Sequence, residues 1–394
     1  MFADRLTARI VMACFCVTVL EGFDIQALGV AAPAIAPVFG LTPLKMGWLF
    51  SISNIGILVG AVGGGRAGDI WGRRRILTLA VLTFALGTLG VALADGYAAF
   101  FLARLLSGVG FGAALPNISA LAVEVSAPQQ RARTAAGMFC GMPLGGALVA
   151  LLSQALPIGS SWRVLFLVGG VLPLLLVYVL HRVLPETRGK AAATAPAMPV
   201  REALFGGNRM ATTSLLWATF LPTLLSLYLL LNWLPMLMVQ KGFSKALAPM
   251  AVLVFNSPSV VGTLIIGSLV DRYGARRIIV PSFLLLAVTL TLLSTASGFS
   301  TVLLLLGITG FLLLSANYAL YGIAAQQYPL AGRGTGSGAA VAAGRVGSIL
   351  GPLLAGVLLS GGTDADGVIA RLVPGALIAA VAVYLLRKAP ADEA

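Results

Sequence analysis

Glu21 and Asp24 stand three residues apart near the centre of an apolar stretch spanning residues 9–33. Ionisable groups that deep in an apolar segment are costly to keep, which marks them for function. A spacing of three puts both on one helix face. Carboxylates so placed can take up and release protons. As neighbours they titrate as a pair, so the spacing alone does not assign the proton to either. Two arginines are embedded in the same way: Arg104 in the first turns of stretch 98–121, and Arg345 near the middle of stretch 335–360, with room beside it at Gly344 and Gly347. A planar guanidinium can hold a carboxylate by two parallel hydrogen bonds. Arg345 is therefore either a clamp for an anionic ligand or a partner for Glu21 or Asp24. Arg104 lies shallow enough to snorkel to a membrane surface.

The elements that position these four charges follow from composition. The chain is 59% hydrophobic and only 10% charged, where a soluble protein carries about 25% charge. Apolar runs long enough to cross a bilayer recur along its whole length. Twelve are expected: 9–33, 46–66, 74–94, 98–121, 133–156, 162–183, 210–235, 247–269, 277–297, 300–325, 335–360 and 366–387. Backbone groups in lipid must bond internally, so each is expected to be a helix. Short alternating segments of a barrel are absent from the sequence. The first run is too long, and too acidic at its centre, for a cleaved signal peptide. The fold class is all-α integral membrane.

Charge gives the orientation. With both termini in the cytoplasm, Lys45, Arg163, Lys241, Lys245 and Arg371 fall outside and Arg104 and Arg345 within spans. The rest of the 26 basic residues lie inside. That bias is the positive-inside pattern. The net charge of +13 is thus a topology signal. Its scatter over short loops argues against a nucleic-acid partner. Cys14, Cys16 and Cys140 all fall in spans, with no metal-binding spacing, and read as packing residues.

The most polar stretch, 185–208, separates a first half (1–184) from a second (209–394) and reads as a cytoplasmic linker. One motif occurs in both halves. Gly65, Asp69, Gly72, Arg73 and Arg74 follow the second span, and Gly267, Asp271, Arg272, Gly274, Arg276 and Arg277 follow the eighth. The recurrence in register is an internal repeat of six spans. Gly72 and Gly274 permit a tight reversal. Asp69 and Asp271 can accept hydrogen bonds from the arginines or from a helix N-terminus, giving a latch that forms in one conformation and opens in another.

The doubled pattern Gly-x-x-x-Asp-x-x-Gly followed by arginines resembles the signature loop of the major facilitator superfamily, whose members have two six-helix halves and a midplane site. The resemblance covers the whole chain. Ile70 departs from it, standing where the family has Arg or Lys, while the second copy keeps Arg272; this implies a weaker first latch. A narrower resemblance rests on Glu21-Gly-Phe-Asp24 with Gly29 and Pro33. It is similar to the first-helix signature of the aromatic acid:proton symporters. Glu21, in place of the usual Asp, resembles the branch of that family that carries 3-(3-hydroxyphenyl)propionate. Met46-Gly-Trp48, Arg104 to Asn117, Asn232-Trp-Leu-Pro235 and Ala343-Gly-Arg345 are also similar to that branch. Arg104 with Gly108, Gly110 and Gly112 resembles a fourth-helix motif whose Arg is implicated in proton handling. Arg333 is similar to a position tied to activity, or is a plain topogenic loop arginine. Gly141-Met-Pro143-Leu-Gly145-Gly146 is loosely similar to an antiporter motif, which keeps export as the alternative.

An aromatic acid needs flat apolar surfaces and a few polar groups. Trp233, Phe255, Tyr318 and Tyr321 supply rings, and Asn117, Asn232, Asn256 and Gln326 supply hydrogen bonds. For each of these the competing role is helix packing or interhelical bonding. An anion entering a negative-inside cell works against ~2.3 kcal/mol per 100 mV, which a co-transported proton cancels. The expectation is a proton symporter importing an aromatic carboxylate, with no cofactor beyond protons as coupling ion, no metal, and a small aromatic acid and the bilayer as partners. It is expected to act as a monomer in the cytoplasmic membrane of a bacterium. An intramembrane enzyme is disfavoured, because the single histidine, His181, sits at a helix end with no nucleophile–base arrangement. Glycines every four residues (Gly56, Gly60, Gly64 and Gly68, then Gly137, Gly141 and Gly145, and nearly so Gly347, Gly351 and Gly356) are expected to let helices approach closely and to offer smooth faces for sliding.

Overall fold

The computed structural model describes residues 2–125, 134, 137–157, 161–184, 198–207, 209–329 and 332–386, with side chains placed from Thr7 onward except at 122–123. Most of the linker, the start of the expected fifth span and the last residue of the twelfth lie outside the described residues. Those described form helices and connecting turns: α1 (Phe2–Val38), α2 (Pro43–Trp71), α3 (Arg73–Leu93), α4 (Tyr97–Val125), α5 (Gly141–Ala155), α6 (Arg163–Val183), the short α7 (Val200–Phe205), α8 (Met210–Gln240), α9 (Ala248–Tyr273), α10 (Ala275–Thr295), α11 (Phe299–Gln326), α12 (Arg333–Ser360), the short α13 (Ala365–Ala370) and α14 (Val373–Leu385). Among the described residues, twelve helical segments are long and apolar enough to cross a membrane, with α13 and α14 together forming the last.

Several helices run further than hydropathy alone suggests. The second ends at Trp71 rather than near residue 66, so the first motif copy is mostly helical and only Gly72 turns. Gly72 has φ 97° and Gly274 φ 87°, a region closed to most side chains, and each is followed at once by the next helix. The start of α2 is set by Thr42, whose hydroxyl caps Lys45 N at 3.3 Å, with Pro43 in the first turn. Asp364 caps Gly367 N at 2.8 Å and starts α13.

The chain forms two compact units. One holds residues 1–192, 232–239 and 244–253; the other holds 193–231, 240–243 and 254–394. The end of α8 and the start of α9 thus group with the first unit.

In the first unit α4 packs along both α2 and α3, and α1 packs along α5 and α6. The α2–α4 contact is backbone against backbone. A methyl group on Gly56, Gly60 or Gly64 would run into the main chain of Leu105, Val109 or Ala113; one on Gly108 or Gly112 would run into Ser53 or Ile57. The glycines thus let α2 and α4 approach to backbone contact, as their spacing suggests. Gly145 is pressed in the same way against Val19 and Phe23 of α1. In the second unit Gly347 and Gly351 of α12 sit against the backbone of Leu221 and Leu225 of α8.

Candidate functional site

In the first unit, α1 carries the acids at mid-length, and both Glu21 and Asp24 are wholly buried. Both oxygens of Asp24 are engaged. Oδ2 accepts from Arg104 Nη1 at 2.7 Å, and Oδ1 accepts from the Thr88 hydroxyl at 2.7 Å. Arg104 is 1% exposed. It points into the bundle, so snorkelling to the surface is excluded. The close fit of α4 against α2 and α3 explains this. Gly108 and Gly110 bring α4 onto α2 and α3 respectively, and Gly87 of α3 seats the main chain of Ala103 and Ser107. An arginine between them has no outward route. Charge-assisted bonds of this length are strong, and burial makes loss of either partner expensive. Asp24 and Arg104 thus form a buried ion pair, and Glu21 lies three residues before Asp24 on the same helix, wholly buried as well.

In the second unit, Arg345 lies near the midpoint of α12 and is half-buried. Its Nη1 donates to the Tyr228 hydroxyl of α8 at 3.0 Å. Tyr321 of α11 lies close enough to feel both the Arg345 charge and the Tyr228 hydroxyl, and it meets the Phe220 ring edge-on at 5.6 Å. Arginine, two phenols and a phenyl ring are thus gathered from three helices. This is chemistry suited to an aromatic anion.

The other expected residues are dispersed. Asn117 clasps two helices: its amide donates to Gly64 O at 3.0 Å and Ala113 O at 2.8 Å. Asn232, Trp233 and Asn256 are buried and Tyr318 is half-buried. Trp233 packs edge-on against Phe50 at 5.2 Å. Phe255 is buried where Gly310 presses on its main chain. Gln326 is exposed at the last residue of α11, so it ends a helix rather than lining its middle. Arg333 begins α12 and its Nε is buried without a hydrogen bond among the described residues.

In the first motif copy, Arg73 bridges Asp69 at 2.8 Å and Glu124 at 2.6 Å. In the second, Arg276 lies over the Tyr384 ring at 3.7 Å and Arg272 over Tyr273 at 5.2 Å. Asp271 has no ion pair among the described residues. The first copy's ion pairs are made by Arg73 with Asp69 and Glu124, and the Ile70 position supplies none of them. Thr88, Tyr228 and Glu124 were not anticipated from sequence. A lone Thr or Tyr in an apolar span carries no signal, although Glu124 as an acid at a span end was available to pair with the motif arginines.

Twelve membrane-crossing helices, a repeated turn and charges buried in mid-helix define a polytopic membrane carrier. Residues 14–258 and 250–394 match the Major Facilitator Superfamily, and the chain belongs to that family. It is therefore a multi-pass membrane transporter and not an enzyme. It is 41% identical over 376 residues to the 3-(3-hydroxy-phenyl)propionate transporter of Escherichia coli, covering 95% of this chain and 92% of that one. It is 33% identical over 410 residues to the 4-hydroxybenzoate transporter PcaK of Pseudomonas aeruginosa, covering 96% and 92%. The crystal structure of a D-xylose-proton symporter is similar in fold, with a TM-score of 0.77 at 18% identity, covering 97% and 98%.

Proposed function

We propose that the protein imports an aromatic carboxylate of the hydroxyphenylpropionate type by proton symport with alternating access. The observation that carries this reading is the 41% identity over 95% of the chain to a carrier named for 3-(3-hydroxy-phenyl)propionate. Two features of the side chains support it. Arg345, set among Tyr228, Tyr321 and Phe220, offers a guanidinium and rings to a carboxylate on a ring. Glu21 and Asp24, both buried on α1 and the second paired with Arg104, offer protonatable groups inside the span.

In this mechanism protons enter at Glu21 and Asp24 from the outside while the carboxylate binds Arg345. Neutral clusters cross between outward-open and inward-open forms more readily than charged ones, because a desolvated unbalanced charge is costly. Release of both on the inside resets the carrier. Both termini lie in the cytoplasm, the membrane is the cytoplasmic membrane of a bacterium, and the monomer is the working unit. The test is uptake of labelled 3-(3-hydroxyphenyl)propionate by cells and by proteoliposomes, with benzoate, protocatechuate and cinnamate as competitors. Uptake that collapses with a protonophore supports the reading. Net flux outward under an inward proton gradient overturns it in favour of export, and uptake indifferent to the protonophore removes the symport.

A further inference from the structure

We propose that the groove between α8 and α14 holds an acyl chain of an anionic phospholipid, whose phosphate is bound by Arg276 and Arg277 at the start of α10. Leu215 and Ala218 of α8, with Leu377, Ile378, Val381 and Leu385 of α14, line a groove of about 340 Å³ with apolar side chains alone. The two helices meet just beyond it, where Gly375 of α14 lies against Pro222 of α8. Ile378, Val381 and Leu385 are each more than half exposed, and on a membrane-crossing helix such side chains face lipid tails. From Leu377 to Leu385 the groove runs about 12 Å at 1.5 Å per residue. The hydrocarbon of one leaflet is about 15 Å deep, half of the bilayer core. The groove thus matches the length of chain that one leaflet offers.

The groove ends at Leu385, the last residue of α14. Tyr384 stands beside it, and the Arg276 guanidinium lies over the Tyr384 ring at 3.7 Å. A cation is therefore held at the rim, where the headgroup of a lipid lying in the groove must sit. Stacking uses the face of the guanidinium and leaves its N–H edge in the plane for a phosphate. Arg276 and Arg277 are both exposed, and among the described residues neither pairs with a carboxylate. In the first motif copy, by contrast, Arg73 is engaged by Asp69 and Glu124. Arg272, Arg276 and Arg277 outnumber Asp271 at this turn, so the rim is positive. Each arginine near a membrane surface favours an anionic lipid about fivefold.

The test uses the full-length protein in phosphatidylcholine vesicles. These carry a trace of phosphatidylglycerol or of phosphatidylcholine with a photoactivatable diazirine in the acyl chain. Labelling of α14 is read by peptide mass spectrometry. At Ile378 to Leu385 the wild type should favour phosphatidylglycerol about twenty-five-fold, fivefold for each of two arginines. Arg276→Gln with Arg277→Gln should bring that ratio close to one. Arg276→Lys with Arg277→Lys keeps both charges and should keep most of the preference, which separates loss of charge from loss of fold. Ala218→Phe fills the groove and should lower labelling by both lipids. Arg182→Gln removes another arginine stacked on a tyrosine, at the end of α6, and should leave the ratio unchanged. The proposal is overturned by a wild-type ratio near one, or by a preference that survives the glutamine pair. It is overturned equally if the lysine pair loses the preference as fully as the glutamine pair. An Arg182→Gln effect of the same size would reduce the site to diffuse surface charge. Protection of α14 from both lipids would mean that protein, such as a second copy, covers the groove.

Discussion

The turn between α2 and α3 and the turn between α9 and α10 share one backbone and differ in their chemistry. Each is a single glycine at positive φ, and α3 and α10 that follow are both 21 residues long. The halves stay in register on either side: α1 and α8 end at Val38 and Gln240, and α4 and α11 begin at Tyr97 and Phe299, both matching the spacing of Gly72 and Gly274. Counted in that register, Arg73 and Glu124 correspond to Ala275 and Gln326. The second copy keeps its aspartate, Asp271, and has lost both partners of the first copy's ion pairs. The same holds deeper in. The counterparts of Asp24, Thr88 and Arg104 are Ser226, Leu290 and Leu306, all buried. The repeat preserves backbone geometry where geometry alone sets the turn. It keeps Asp69, Arg74 and Arg75 as Asp271, Arg276 and Arg277, but the charges of the ion pairs (Asp24, Arg73, Arg104 and Glu124) have uncharged counterparts. In the proposed mechanism the roles are divided in the same way, with the acids on α1 and the arginine on α12.

The largest expected effect comes from giving the first half the chemistry of the second. Arg104→Leu leaves Asp24 buried without its cation, a loss of about 3–5 kcal/mol. Thermal denaturation in detergent should show a marked drop, and proton-driven uptake should be lost. Asp24→Ser with Arg104→Leu copies the second-half pattern in full and should regain most of the stability while uptake stays lost. Recovery of uptake in that double variant would refute the division of labour.

Substituting the shared glycines is the intermediate case. Gly72→Ala and Gly274→Ala each impose a strained φ, costing about 1–3 kcal/mol. If backbone is what the repeat conserves, the two should lower the melting temperature by similar amounts. A large effect at one turn and none at the other would break the equivalence.

The smallest effect is expected at the exposed ion pairs. Arg73→Ala with Glu124→Gln makes the first copy resemble the second and removes pairs worth about 0.2–1 kcal/mol each. Stability should barely change, whereas a latch role predicts a several-fold change in transport rate. The reciprocal pair, Ala275→Arg with Gln326→Glu, tests whether a second latch slows the carrier; unchanged rates in both variants would reduce the motif to a topogenic signal.

Much of this was legible in the sequence. The spans were, because lipid demands long apolar helices, and the two glycine turns were, because Gly72 and Gly274 recur in register. The embedded charges stood out for the same reason. The partners did not. Thr88 reaches Asp24 from another helix 64 residues away, and Tyr228 reaches Arg345 across 117. Hydroxyls are common in apolar spans and reveal themselves only when packing brings a charge to them. Helix ends were misjudged for a related reason: α2 continues to Trp71 and α9 to Tyr273 through polar residues that hydropathy assigns to loops. Gln326, which its amide alone makes a candidate for the ligand, is exposed at the last residue of α11 and stands in register with Glu124.

The meshed backbones of α2 and α4 have a practical consequence. Glycines on each helix seat the main chain of the other, and the expected consequence is that the two move as one body. That pair is a built-in ruler. Spin labels placed on the outer faces of α2 and α4 should keep one separation through the whole cycle, and distances to every other helix can be calibrated against it.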